Sequence, residues 1–131
     1  MTDDLHGKTI CFDIDGVLCE QVEGDYASAQ PHQDMIDLLN RLYDRGCRIL
    51  LHTSRFMGRA NSDPAEADRI GRAFTEAQLA GWGIRYHELW MGKPRYHSVI
   101  DDRSVFYQRD AERIEALLTN QAAQDKNAAG A

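Results

Sequence analysis

A chain of 131 residues with a formal net charge of −6 has room for one core, and two independent cores would be cramped. The acidity repels polyanions, which argues against nucleic acid as a partner. No stretch approaches the apolar length of a membrane span, and Met1 to Lys8 is polar and acidic rather than signal-like, so a cytoplasmic protein without a membrane partner is expected.

In chain order, Thr9-Ile-Cys-Phe is a short run of strand formers leading to Asp13 and soon followed by Gly16, which predicts a buried strand entering a loop. Glu20 to Gln30 is polar and aperiodic and reads as an exposed flap. Pro31 then opens a helix in which Met35, Ile36, Leu38, Leu39, Leu42 and Tyr43 recur at helical spacing until Gly46. Arg48-Ile-Leu-Leu-His forms a second strand ending at Thr53, and Ser54 to Asn61 a loop. Asp63, Pro64 and Glu66 have the pattern of a capping box for a helix running to about Ala80. Ile84 to Leu89 predicts a third strand, and His97-Ser-Val-Ile a fourth, ending at Asp101. A last helix is expected over Ser104 to Leu118, with Val105, Phe106, Ile114, Leu117 and Leu118 on its apolar side. Residues 119–131 are poor in apolar bulk and read as a frayed tail. Cys11, Cys19 and Cys47 are odd in number and lack CxxC spacing, which favours reduced thiols over disulfides or zinc.

Strands alternating with helices over short connections predict an α/β fold: a three-layer, Rossmann-like parallel sheet with helices on both faces, in one domain over residues 1–118. Ligands of such sheets bind beyond the carboxyl ends of the strands. Those ends carry Asp13, Thr53 and Asp101, so these residues should converge. Asp13 and Asp15 lie two apart on extended backbone and point to one side if the strand persists. Two such charges about 4 Å apart repel by roughly 4 kcal/mol at an effective dielectric near 20. With Asp101 and Asp102 added, the cluster needs a cation. Hard oxygen donors without clustered histidines or thiolates favour Mg²⁺.

Asp13-Ile-Asp-Gly-Val-Leu, Ile49-Leu-Leu-His ending in Thr53, Lys93 before Pro94, and Val99-Ile-Asp-Asp resemble the four motifs of the haloacid dehalogenase-like hydrolases, in family order and spacing over residues 9 to about 106. The resemblance implies a phosphomonoester hydrolase working through an aspartyl-phosphate. It makes Asp13 the nucleophile and Asp15 the general acid and base, with Thr53 and Lys93 on the transferring phosphoryl group. Asp13, Asp101 and the backbone carbonyl of Asp15 become Mg²⁺ ligands, and Asp102 an outer partner. Ser54 and Arg55 are weaker substrate-binding candidates, Arg55 being equally suited to a surface ion pair. His52 reads as packed or hydrogen-bonded rather than catalytic. Exposed-looking apolar groups at Phe56-Met57 and at Trp90-Met91 suit a substrate pocket, a subunit contact or ordinary packing.

Neither gap between motifs holds a domain of typical size, so no separate cap is expected. An open site of this kind accepts a large substrate or gains its walls from a neighbouring copy in a homo-oligomer. Thr53-Ser-Arg-Phe-Met-Gly-Arg and Tyr86-His-Glu-Leu with Gly92-Lys-Pro look most like small bacterial phosphatases linked to surface-polysaccharide synthesis, which implies a small phosphorylated metabolite, such as a sugar phosphate, as substrate. Two other readings compete: a phosphoacceptor receiver-like signalling domain, disfavoured because residues 53–58 hold no aspartate, and a non-catalytic binding protein that keeps the fold.

Overall fold

The computed structural model describes residues 3–130. Three strands, β1 (Thr9–Asp13), β2 (Arg48–Thr53) and β3 (Glu88–Met91), form one parallel sheet in the order β1-β2-β3. Three helices accompany them: α1 (Gln33–Asp44), α2 (Pro64–Gly81) and α3 (Ala111–Gly130). The α/β class, the open parallel sheet and the lack of a cap domain are as the sequence indicates.

The register sets Asp13 beside His52, and Thr53 beside Met91. All three strands therefore end near one level, where the functional residues were expected. Alternate residues of β2 divide between two environments. Ile49, Leu51 and Thr53 are buried, while Leu50 and His52 are half-buried and, with Cys11 and Trp90, line a shallow groove across the opposite, thinner-covered face. Met35, Ile36, Leu38, Leu39 and Leu42 of α1 are fully buried, as its apolar spacing demands.

Beside α1 lies α3, with Ile114, Leu118 and Ala122 buried, and Glu115 paired to Arg41 and Arg45. Arg45 also grips Asp3 and tethers the N-terminal segment. That guanidinium, through its hydrogen bonds, lowers the Asp3 pKa to about 2. No helix among the described residues is long and apolar enough to cross a membrane. The three cysteines are free, with Cys11 exposed and Cys19 and Cys47 buried.

Several boundaries differ from expectation. The helix expected from Ser104 begins at Ala111, where Asp110 accepts the Arg113 N–H at 3.1 Å, and Phe106 is left 88% exposed. The tail expected to fray from residue 119 instead continues this helix to Gly130. Alanine-rich sequence propagates a helix readily, and Ala122 is packed into the core; position 131 lies outside the described residues. Asp63 does cap α2, accepting the Ala65 N–H at 3.0 Å. Glu66 does not complete the box, because its carboxylate is taken by Arg69. The third strand is shifted to Glu88–Met91.

The largest departure is the fourth strand. Residues 97–100 are not in the sheet, and Ile100 is fully exposed at 102%. Only five residues separate Met91 from His97, whereas a parallel crossover ordinarily takes a dozen or more.

Gly71, inside α2, shows how the loop after β2 is fixed. A Cβ there would lie 2.2 Å from the Phe56 ring. Phe56 itself has φ +67, and its ring meets Tyr26 at 5.0 Å, so it has little room to yield. Gly71→Ala should recover roughly 1 kcal/mol of helix propensity but incur about 1–3 kcal/mol of overpacking. We expect a net loss of stability in urea melts.

Candidate active site

At the carboxyl end of β1, Asp13 keeps a side chain 36% exposed. One carboxylate oxygen, Oδ1, accepts the Ile14 N–H at 2.9 Å. The other, Oδ2, lies 3.3 Å from Lys93 Nζ, which reaches over from the loop after β3. The chain enters that loop with the Lys93 N–H donating to the Thr53 carbonyl at 3.0 Å. Gly92 has φ +85 and sits against Pro64, with 2.5 Å to any added Cβ, which locks the approach. Burial disfavours the Lys93 charge, but the Tyr96 hydroxyl and the Asp13 carboxylate more than offset it and hold its pKa above the ordinary lysine value. A cation and a reachable carboxylate are thus held together at the strand ends.

Asp15 is arranged differently. Arg55 Nε reaches its Oδ2 at 2.9 Å and its Oδ1 at 3.2 Å, and Nη2 reaches Oδ1 at 2.9 Å. The Arg55 side chain is 0% exposed and that of Asp15 11%. Gln78 Oε1 accepts from Arg55 Nη1 at 2.6 Å, and the guanidinium lies 4.7 Å from the centre of the Tyr26 ring. Arg55 is therefore neither a substrate ligand nor a surface partner. It is a buried clamp on Asp15. Cys19 sits in the same pocket, and burial, then the Asp15 charge, push its thiol up to about 12.

Thr53 is buried, and its hydroxyl oxygen accepts the Arg55 N–H at 3.0 Å. The hydroxyl proton is left over for a further acceptor. Ser54 is half-buried beside it. His52 is half-buried, and burial, followed by the Lys93 charge, lowers its pKa. Phe56 and Met57 are packed in the core, whereas Trp90 is 57% exposed.

The flap of residues 20–30 is fastened rather than free. It carries a 3-10 turn at Tyr26–Ser28, and Glu20 and Gln30 bond to each other across its base. The Tyr26 hydroxyl accepts the Phe56 N–H at 3.2 Å, and its carbonyl accepts from Gln78 at 2.7 Å.

Asp101 and Asp102 are exposed. The Asp101 carboxylate accepts the Arg103 N–H at 2.8 Å in a local turn. Among the described residues, no three His, Cys, Asp or Glu side chains gather as a metal site. Lys93 thus joins Asp13 through its side chain and Thr53 through its backbone N–H, whereas Asp101, expected with Asp13 and Thr53, stands with Asp102 in an exposed turn outside the sheet. Sequence reading missed Tyr26 and Gln78, which hold Arg55, and Tyr96, which steadies Lys93. Only Tyr96 left a trace, as an aromatic three residues beyond the lysine.

No family model and no curated protein matches this chain. Among solved structures, the crystal structure of an MCSG target from Vibrio cholerae is similar at 26% sequence identity and a TM-score of 0.73, covering 87% of this chain and 98% of that one.

Proposed function

We propose that the protein is a phosphomonoester hydrolase in which Asp13 is the nucleophile. The observation that carries this reading is the half-exposed Asp13 carboxylate, held 3.3 Å from Lys93 at the strand ends of an open parallel sheet. The motif order from Asp13 to Asp102 supports it as well. Carboxylate attack on an anionic ester needs a nearby positive charge, and Lys93 supplies one on the same side as the attacking oxygen.

In the first step Asp13 Oδ2 forms a bond to phosphorus while the ester P–O bond breaks, its electron pair leaving with the alcohol oxygen. Water then attacks the same phosphorus, releasing phosphate and restoring the carboxylate. Lys93 binds the transferring oxygens, assisted by the Thr53 hydroxyl. Proton transfer to the leaving oxygen, and then from the attacking water, falls to Asp15, which is thereby restored. That role requires its carboxyl to leave the Arg55 fork, whose three guanidinium bonds occupy both of its oxygens.

Within one chain, the residues as arranged do not fit a magnesium ion: Asp13 faces Lys93, the Asp15 side chain is committed to Arg55, and Asp101 is elsewhere. Magnesium enters the proposal only with Asp101 brought to the strand end. The substrate class proposed is a small phosphorylated metabolite, such as a sugar phosphate, on the resemblance of residues 53–59 and 86–94 to small phosphatases of surface-polysaccharide synthesis.

The test is phosphate release from an aryl phosphate and a panel of phosphorylated metabolites, with magnesium and with chelator. Hydrolysis with magnesium that stops on chelation is expected. Failure on every compound in both conditions would overturn the reading.

A further inference from the structure

We propose that two copies of this chain exchange their 97–102 segments, each laying that segment along the free edge of the partner's β1 and placing its own Asp101 and Asp102 beside the partner's Asp13. The inference rests on the preceding reading only for what Asp101 does once there; the exchange itself stands on chain reach and exposure.

Two surfaces of the same chain lack partners among the described residues. β1 pairs only with β2, so its outer edge is open. The 97–102 segment offers strand-forming residues to solvent, with Val99 56% and Ile100 102% exposed, and Phe106 follows at 88%. An open edge and an exposed β-prone segment are what strand addition joins.

The segment cannot reach its own β1 while Lys93 keeps its contacts with Thr53 and Asp13. With Asp101 opposite Asp13, a parallel register sets Val99 opposite Cys11 and His97 opposite Thr9. The ladder pairs Thr9 with Arg48 and Met91 with Thr53, so His97 would stand five residues below the level of Met91. At a rise of about 3.3 Å per residue and a strand spacing of about 4.8 Å, the path from β3 to beyond β1 is roughly 17 Å down and 14 Å across. That is about 22 Å in a straight line. Lys93 is held by the Thr53 carbonyl at 3.0 Å and by Asp13 at 3.3 Å. The four residue steps from Lys93 to His97 span at most about 14 Å. Pairing within one chain therefore requires tearing Lys93 from the site it serves. A second copy has no such tether. Because each chain offers both the edge and the segment, the exchange closes as a two-fold dimer.

Val99→Cys tests the register without any assay of activity, since Cys11 is exposed on β1. After oxidation or treatment with a short bis-maleimide, we expect a covalent dimer whose peptide map joins positions 11 and 99, absent when Cys11→Ser is added. A monomer containing that link, or no 11–99 link at all, overturns the exchange. The second arm co-expresses Asp13→Asn with Asp101→Asn. Exchange rebuilds one intact site in each mixed dimer and returns about a quarter of wild-type activity from two inactive variants. Sites completed within one chain return none. If the 11–99 dimer forms while the unaltered protein hydrolyses nothing, the exchange stands and the hydrolase reading falls.

Discussion

Asp13→Asn should reduce phosphate release by at least about a thousandfold, because it removes the attacking oxygen rather than a binding contact. The replacement is nearly isosteric, and its amide oxygen can still accept the Ile14 N–H that Oδ1 accepts now at 2.9 Å. Lys93 loses a neighbour but keeps Tyr96. The variant should therefore melt within about 1 kcal/mol of the parent while turnover collapses. Steady-state rates and a denaturant melt on the same preparation check both halves. Retained turnover would remove Asp13 from the chemistry.

Arg55→Met should have the largest effect on stability, a loss of about 3–5 kcal/mol, since it strands the nearly buried Asp15 carboxylate without its cation. It also leaves Gln78 Oε1 without the donor now at 2.6 Å. Asp15→Asn alone should destabilise for the mirror reason, leaving a fully buried guanidinium facing a neutral amide. The double variant should lose less than the sum of the two, because one change removes the charge that the other strands. Urea melts of the four proteins measure that coupling. Additive losses would mean that the fork contributes little.

The parts legible in the sequence were those with a strong local period or an unambiguous terminator. The strand into Asp13, the α1 stripe from Met35 to Leu42, and Asp63 before Pro64 all specify their elements from neighbouring residues. Lys93 was legible because the following proline restricts it to an extended conformation, and the structure holds it against Asp13. Arg55 was not. Its partner lies 40 positions away, and nothing local separates a buried fork from an exposed charge. His97 to Ile100 misled for the opposite reason: its composition suits a strand, but a strand also needs a partner edge within reach of its connection. The alanine-rich tail misled because low apolar content hid a helix that buries Ala122.

The most direct measurement of the central claim is to quench the protein during turnover of an aryl phosphate, reduce any acyl phosphate with borohydride, and map the peptides by mass spectrometry. Homoserine at position 13, and at no other aspartate, is the predicted result. Sustained phosphate release with aspartate intact at position 13 throughout would contradict it.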